Sequence, residues 1–525
     1  MSEVDGSGGS DTVAAAEVGF DQKIDELFKP IADWWGSIVF FLVPIPYSDP
    51  LPFVLVLLVC GAAFFTLAFG FINVRLFPLA IQVVSGKYDA IDSDDEPTGG
   101  DTGDDGRPAD SDHGEVSHFQ ALATAVSGTV GLGNIAGVAV AVATGGPGAT
   151  FWMIVCGLLG MSTKFVECTL GVTYRDIDDD GTVHGGPMYY LRKGLTDVGL
   201  APMGKVLGVI FAICCVGGSF GGGNAFQSNQ ATQQIKSLLG LPDSGASGTI
   251  IGLVMAALVA VVIIGGIKRI AKVTEKIVPV MAIIYCVAAL IIILMNITSV
   301  PGAIGEIISG AFTPAAGLGG IMGVIIQGFQ RAAFSNEAGA GSAAIAHSAV
   351  RTKYPASEGI VALLEPFIDT VVICTMTAIV IVLFNGDAMF AWGDLDESKK
   401  VLIDGVRVGG VDLTSAAFDS VLPGFKYILT IAIILFAFST MISWSYYGLQ
   451  AWKYLFGRSK AADLSYKLLF CAVVVIGAAI SLGSVIDFSD AMIFAMVFPN
   501  MVGLVLLLPR VRKELQTYLE ACRGA

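Results

Sequence analysis

The stretch Ser127-Gly-Thr-Val-Gly131-Leu-Gly133-Asn134-Ile-Ala-Gly137 lies inside a long apolar run of this 525-residue chain. A second stretch, Phe334-Ser335-Asn336-Glu337-Ala-Gly339-Ala-Gly341-Ser342, interrupts another apolar run. Each glycine lowers helix propensity by roughly 1 kcal/mol. In a bilayer, irregular backbone is tolerated only where it is buried in protein or lines a cavity. The two stretches therefore predict two discontinuous membrane helices.

The composition places these helices in a membrane protein. Hydrophobic residues make up 54% of the chain and charged residues 14%, whereas roughly a quarter of a soluble domain is charged. Continuous apolar runs of about 20 residues favour helices over a barrel, whose strands alternate. We predict an all-α polytopic membrane protein with about eleven transmembrane helices, near 50–75, 118–144, 148–174, 203–236, 248–267, 273–297, 317–349, 357–385, 424–456, 465–485 and 488–509.

The order of the spans predicts an internal repeat. Without the first span ten remain, and an interrupted helix opens each group of five. Five spans per unit force the second unit into the opposite orientation, which is the inverted-repeat plan of many secondary transporters. The predicted parts are an N-terminal tail with an interfacial amphipathic helix (1–49), an extra transmembrane helix (50–75), an acidic disordered cytoplasmic loop (76–117), a first repeat (118–297), a second repeat (298–509) that includes an acidic extracellular loop (386–423), and a cytoplasmic tail (510–525).

The net charge of -15 comes from three segments that we expect to face water. Residues 1–27, 88–117 and 386–419 hold 25 of the 45 acids. Such acidity suggests adaptation to high salt, which screens self-repulsion. Residues 88–117 are predicted to be a solvated tether, and calcium binding is the alternative, although EF-hand spacing is missing. Residues 20–35 form an amphipathic pattern, which predicts an interfacial helix with Trp34 and Trp35 at headgroup depth.

The basic residues predict the orientation. With the N-terminus outside, 21 Lys and Arg residues fall in inner loops and 7 in outer loops, as the positive-inside rule requires. We therefore expect the N-terminus outside and the C-terminus in the cytoplasm of a cell-membrane protein. No basic patch interleaved with aromatic residues occurs, so a nucleic-acid partner is not expected. The nine cysteines lack metal-site or disulfide spacing.

Three other interpretations compete with a transporter. Gly133 and Gly137 form a GxxxG pair, which often serves only helix packing. A channel would require a continuous polar stripe through several helices, and none is visible. A membrane enzyme would need a nucleophile with a base or a metal cluster inside the spans, and the sequence offers neither. The two interrupted helices favour secondary transport, with a substrate carboxylate at half-helix N-termini and a cation at freed carbonyls.

The sequence resembles one known family over residues 50–510. It is similar to the alanine or glycine:cation symporters in the runs TVGLGNIAGVA (129–139), GGPGATFWM (145–153), LGMSTKFVE (159–167), GGPMYY (185–190), GGIKRIA (265–271), FSNEAGAGSAAIAHSA (334–349), FIDTVVICTMTA (367–378) and FAFSTMISWSYYG (436–448). The resemblance implies uptake of a small neutral amino acid coupled to sodium or to protons, on a five-plus-five inverted-repeat fold. It implies no cofactor besides the coupling ion, and it leaves the oligomeric state open.

The resemblance also implies roles for individual residues. Carbonyls of Ser127, Val130 and Phe436 and hydroxyls of Ser439 and Thr440 would hold sodium. The amides of Leu132 and Gly133 would meet the substrate carboxylate. The remaining predicted substrate residues are Gly131, Asn134, Asn224, Gln227, Ser335, Asn336 and Trp444. Among these, Asn224 and Gln227 either contact the substrate or bond to each other or to nearby backbone, and Trp444 either walls the pocket or serves as a packing aromatic.

Ionisable residues within spans need partners. The spacing predicts that Lys164 pairs with Glu167, and that Arg331 pairs with Glu337 across the second break. Glu365 and Asp369 share a helix face, so one of them is expected to be protonated or to reach a basic neighbour. His347 is expected to cap or pack near Arg351 rather than to relay protons.

Overall fold

The computed structural model describes residues 20–44, 50–92, 114–179, 181–242, 246–313, 320–396 and 398–524. Predictions about residues 1–19 and about residues 93–113, which are half of the predicted loop 76–117, lie outside this described part. The chain before the first break contains α1 (Phe20–Val39), β1 (Leu42–Val43), β2 (Leu51–Pro52), α2 (Phe53–Ala68), α3 (Ile72–Arg75), α4 (Phe77–Val84) and α5 (Asp89–Asp92).

The first predicted repeat begins with the interrupted helix. Ser117 starts it with a capping box, in which Ser117 and Gln120 each bond the other's amide over 3.2 Å. The elements are α6 (His118–Thr129), a π-helical turn (Gly133–Gly137), α7 (Val138–Gly145), α8 (Gly148–Thr173), β3 (Asp176–Ile177), β4 (Val183–His184), α9 (Pro187–Asp197), α10 (Ala201–Phe220), a second π-helical turn (Gly221–Ala225), α11 (Phe226–Leu239), α12 (Ser247–Ile263) and α13 (Gly266–Met295).

The second predicted repeat again contains a helix broken by irregular backbone. Its elements are α14 (Val300–Phe312), α15 (Gly320–Asn336), α16 (Ala343–His347), α17 (Pro355–Val361), α18 (Leu364–Pro366), a π-helical segment (Phe367–Cys374), α19 (Thr375–Phe384), a 3₁₀ turn (Asn385–Asp387), β5 (Val401–Ile403), β6 (Val406–Val408), α20 (Val411–Val421), α21 (Phe425–Phe456), α22 (Lys460–Ala479) and α23 (Leu482–Leu506). The chain ends with α24 (Leu508–Gly524).

Among the described residues, seven helices are long and apolar enough to cross a membrane, and the bent pair α6 with α7 makes eight. Three shorter apolar helices, α2, α12 and α14, have 13 to 17 residues. The fold is therefore helical and membrane-spanning, as the composition predicts. In the part of the chain that the structure describes, the strands form three two-stranded antiparallel sheets.

Two segments depart from the predictions based on composition. Residues 77–84, assigned to a disordered loop, form α4, whose Ala80 and Val83 are buried. The acidic segment 386–419 does not simply face water, because α20 buries Leu413 and Phe418 completely. Thr414 of α20 donates to the carbonyl of Ile135 over 3.0 Å. The composition did not predict the burial of α20 because this helix is amphipathic. Its charged face contributes to the count of acidic residues, while its apolar face packs on the core.

Candidate functional site

The first break lies between α6 and α7, whose axes meet at 48°. Its freed backbone donors are satisfied by buried side chains. The amide of Gly131 donates to Asn134 Oδ1 over 2.9 Å, and the amide of Leu132 donates to Gln227 Oε1 over 3.0 Å. A Cβ on Gly137 would meet no heavy atom within 4 Å, so helix packing does not require that glycine. The predicted interruption is confirmed. The side chains of Asn134 and Gln227 stabilise it by accepting hydrogen bonds from its backbone amides.

The second break lies between α15 and α16. Glu337, Gly339 and Gly341 all adopt positive φ, at 55°, 96° and 85°, which is costly for every residue except glycine. The strain at Glu337 is offset by side-chain contacts, because Glu337 Oε1 accepts from Trp444 Nε1 over 2.9 Å and Ser342 Oγ donates to Glu337 Oε2. Positive φ at three positions explains why this stretch cannot continue as a helix.

Asp369 joins the two breaks. Its carboxylate accepts from Asn134 Nδ2 over 2.6 Å, from Ser335 Oγ over 2.9 Å and from Thr370 Oγ1 over 2.7 Å. The side chain is completely buried. In the described part of the chain no ion pair involves Asp369. The sequence marked it only as a carboxylate in need of a partner, whereas the structure places its carboxyl group between the predicted substrate residues Asn134 and Ser335.

Four of the five predicted sodium ligands lie together. Ser127 Oγ donates to the carbonyl of Ser439 over 2.8 Å, and Thr440 Oγ1 donates to the carbonyl of Ser127 over 2.9 Å. Ser439 Oγ donates to the carbonyl of Phe436 over 3.0 Å. Val130, the fifth, is buried at the start of the first break. Ser127, Phe436, Ser439 and Thr440 are hereafter called the oxygen cluster, and its hydroxyl and carbonyl oxygens are hard ligands that suit a small hard cation.

The remaining predicted substrate residues differ in the groups that they contact. Asn336 Nδ2 donates to Thr370 Oγ1 over 2.9 Å, and Asn336 Oδ1 accepts from the Ala338 amide over 3.0 Å. Trp444 is 1% exposed and packs so closely on Gly223 that a Cβ there would overlap its ring. Asn224 Nδ2 donates instead to the carbonyl of Phe470 over 2.8 Å. Asn224 therefore bonds neighbouring backbone, and its substrate contact stays a prediction.

Comparison with known proteins identifies the family of this chain. A sequence profile of the sodium:alanine symporter family matches residues 44–524. The chain belongs to this family. It is 41% identical to the sodium/alanine symporter AgcS of Methanococcus maripaludis, covering 89% of this chain and 94% of that one. It is 38% identical to the putative sodium/proton-dependent alanine carrier protein YrbD of Bacillus subtilis, covering 77% and 81%.

The sodium:alanine symporter family consists of transporters, so the chain is a multi-pass membrane transporter and not an enzyme. A solved structure supports the fold. The crystal structure of MhsT in complex with L-phenylalanine matches 76% of this chain and 99% of that one, with a TM-score of 0.51 and 13% sequence identity. This likeness concerns the fold alone.

The charged side chains of the transporter form pairs that differ from those predicted by sequence spacing. Lys164 pairs with Glu365 over 3.0 Å, and Arg331 pairs with Asp490. The predicted pairs Lys164–Glu167 and Arg331–Glu337 were wrong. Residue spacing along one helix gives no information about a partner on another helix. The expectation that Glu365 or Asp369 reaches a basic neighbour is confirmed for Glu365.

Glu167 and His347 also have partners that residue spacing did not predict. Glu167 Oε1 accepts from the Gly339 amide over 2.9 Å and from Asn500 Nδ2 over 2.8 Å, so it supports the second break. His347 was expected only to cap or pack near Arg351, and the structure shows that its Nδ1 contacts the buried carboxylate of Glu358. Sequence spacing missed both because the partners are 11 to 333 residues away.

Proposed function

We propose that this transporter carries a small neutral amino acid, alanine or glycine, into the cell together with sodium by alternating access. The observation that carries the proposal is the oxygen cluster beside the first break. It offers uncharged oxygens to a monovalent cation, which must bind weakly enough to leave again. AgcS, with which this chain shares 41% identity, is named a sodium/alanine symporter.

The substrate would bind between the two breaks. The unwound backbone at Leu132 and Gly133 would receive its carboxylate. Asp369, with Ser335 and Asn336, provides the negative and polar groups that an ammonium requires. Trp444 would limit the size of the side chain, because it is held by both Glu337 and Gly223.

The proposed topology has eleven spans, with residues 118–297 and 298–509 as two inverted five-helix repeats. Helices α2 and α12 would cross despite their length, since short spans are accommodated by local thinning of the bilayer. The N-terminus would lie outside and the C-terminus inside. A reporter fused at Ala525 that reads as cytoplasmic supports this orientation, and an external reading refutes it.

The test is uptake of labelled amino acids into proteoliposomes with and without a sodium gradient. Thr440→Ala removes one hydroxyl of the oxygen cluster and should raise the sodium concentration for half-maximal uptake more than it changes substrate choice. Thr430→Ala is the matched control, since Thr430 is buried on the same helix and bonds Lys426 and Gln234 instead. Uptake that ignores sodium in the wild type would refute the proposal.

The alternative is coupling to protons. It is favoured by Asp369, which can be protonated, and by the name of YrbD, a putative sodium/proton-dependent carrier. A proton gradient that drives uptake in the absence of sodium would establish it. A channel is a weaker alternative, and it predicts flux that does not saturate with amino acid.

A further inference from the structure

A file of five ionisable side chains lies buried where α6, α8, α16, α17 and α18 meet, and none of the five belongs to the oxygen cluster or to the predicted substrate residues. His118 Nδ1 contacts Glu358 Oε2, and His347 Nδ1 contacts Glu358 Oε1. Lys164 Nζ lies 3.0 Å from Glu365 Oε1. We call His118, Glu358, His347, Glu365 and Lys164 the acid–base file. Bases and acids alternate along it, so each carboxylate is shared between two bases.

The file connects the membrane edge to the second break. His118 is the first residue of α6, and its side chain is 7% exposed, whereas the other four are fully buried. In the proposed orientation this end faces the cytoplasm. At the other end, Lys164 interacts electrostatically with Glu167 and Glu337. Glu167 accepts from the Gly339 amide, and Glu337 is part of the second break, so this end of the file lies near the second break.

One contact in the acid–base file, between His347 and Glu365, is not a hydrogen bond, and we call it the open step. His347 Nε2 and Glu365 Oε2 are 3.6 Å apart, which is too long for a hydrogen bond. Neither atom has a hydrogen-bond partner among the described residues. His347 lies on α16, directly after the second break, and Glu365 lies on α18. A shift of α16 by less than roughly 1 Å would complete the hydrogen bond, so the connection depends on the conformation of the break.

The chemistry of the file suits exchange of a proton rather than a fixed ion pair. Imidazole changes charge near neutral pH, and its two nitrogens can accept and release a proton at opposite edges of the ring. The pair of Arg331 with Asp490 cannot do this, because guanidinium does not give up its proton. Rows of Asp, Glu and His inside membranes commonly mark proton relays.

Other titratable groups face the file from neighbouring elements. Cys168 of α8 and Tyr447 of α21 interact with Glu365. Arg175, which follows α8, interacts with Glu358. Arg175 also donates to the carbonyls of Ser348 and Thr352 over 2.8 and 3.1 Å. Burial lowers the pKa of Arg175 to about 10, so it stays charged at neutral pH and does not itself exchange the proton.

We propose that the acid–base file binds one exchangeable proton from the cytoplasm and passes it to Glu365 when α16 moves. The proton enters through His118 and Glu358 and binds neutral His347 at Nδ1, which becomes an imidazolium. When the open step closes, this imidazolium gives the proton on its Nε2 to the Glu365 carboxylate, and the reverse steps return a proton to the cytoplasm. The inference rests on the proposed transport cycle for the movement of α16, and it adds proton exchange with the cytoplasm to sodium coupling.

The test measures alanine uptake by the full-length transporter in proteoliposomes over a series of pH values on the cytoplasmic side. His347→Gln keeps a hydrogen-bond donor for Glu358 but cannot titrate. His184→Gln is the matched control, because His184 is also buried but bonds Gln450 and Asp178 outside the file. In the wild type and in His184→Gln, the rate of alanine uptake should change by up to about tenfold per pH unit, the limit for one proton. His347→Gln should lose this pH dependence.

The outcomes separate this inference from the proposed function. Sodium-driven uptake without pH dependence in the wild type, or with equal pH dependence in His347→Gln and His184→Gln, refutes the proton file and leaves sodium symport intact. Uptake that ignores sodium but loses its pH dependence in His347→Gln refutes sodium coupling and supports the file. If His347→Gln fails to fold, His118→Gln at the edge of the file gives the same readouts. A wild type without any uptake refutes both proposals.

Discussion

Gly131→Ala probes the junction between the first break and the oxygen cluster. A Cβ at position 131 would overlap Thr440 Oγ1 and would lie 3.1 Å from Gln227 Oε1 and 3.2 Å from Thr440 Cβ. Thr440 Oγ1 bonds the carbonyl of Ser127, and Gln227 Oε1 accepts from the amide of Leu132. Either neighbour can therefore yield only by losing a hydrogen bond that maintains the site.

The magnitude follows from the cost of the overlap. Overpacking a buried position costs about 1–3 kcal/mol. If displacement of Thr440 absorbs this cost, the cation site loses a similar free energy, which corresponds to about a 5- to 150-fold change in affinity. We expect the sodium concentration for half-maximal alanine uptake to rise by that factor. The assay is uptake of labelled alanine into proteoliposomes over a series of sodium concentrations.

Gly137→Ala is the matched control, because its new Cβ would meet no atom within 4 Å. It should leave the sodium dependence unchanged. In a double-mutant cycle, Gly131→Ala should add little to Thr440→Ala, since the overlapping hydroxyl is already gone. The reasoning is wrong if Gly131→Ala shows the sodium dependence of the wild type, or if the effects of Gly131→Ala and Thr440→Ala simply add.

Three further predictions concern single residues. Asp369→Asn keeps a side chain that can bond Ser335 but removes the negative charge. The yield of folded protein should therefore persist, while alanine uptake should fall at least about tenfold, which is equivalent to about 1.4 kcal/mol. Uptake equal to that of the wild type would exclude a role for the charge. Trp444→Phe removes the donor to Glu337, and because a typical buried hydrogen bond contributes about 0.5–1.5 kcal/mol, thermal unfolding should occur at a lower temperature; an unchanged midpoint would contradict this. Gly359→Ala would drive a Cβ into Thr169 Oγ1 and to 2.7 Å from the Phe165 carbonyl, so the yield of folded transporter on gel filtration should drop, and a normal yield would show that α17 can shift without loss.

The two breaks could be predicted because their chemistry is local. Gly131, Gly133 and Asn134 lie in one short run, and a run that cannot continue as a helix in lipid must break there. The roles of Phe436, Ser439 and Thr440 as cation ligands came from the family resemblance and stay predictions. Their spacing at i, i+3 and i+4 only places the three residues on one face of a helix.

Contacts between distant segments escaped prediction. Asp369 looked like a carboxylate beside Glu365, yet it bonds Asn134, which lies 235 residues earlier. For Gln227 the sequence left a substrate contact and a bond to backbone both open, and the structure shows that it accepts from the Leu132 amide, 95 residues earlier. Arg331 forms an ion pair with Asp490 on another helix. Helical spacing gives neighbours on one element only, and it contains no information about which face another element presents.

The sequence by itself determined that the chain crosses a membrane many times and where two of its helices break. Length, hydropathy and glycine content act locally, and the absence of water in a bilayer leaves the backbone few choices. Only the tertiary structure decided which side chains satisfy those breaks, which charges pair, and that His118, Glu358, His347, Glu365 and Lys164 form one file. Buried charges and freed amides must find partners wherever the packing of helices places them, and that placement depends on the whole fold.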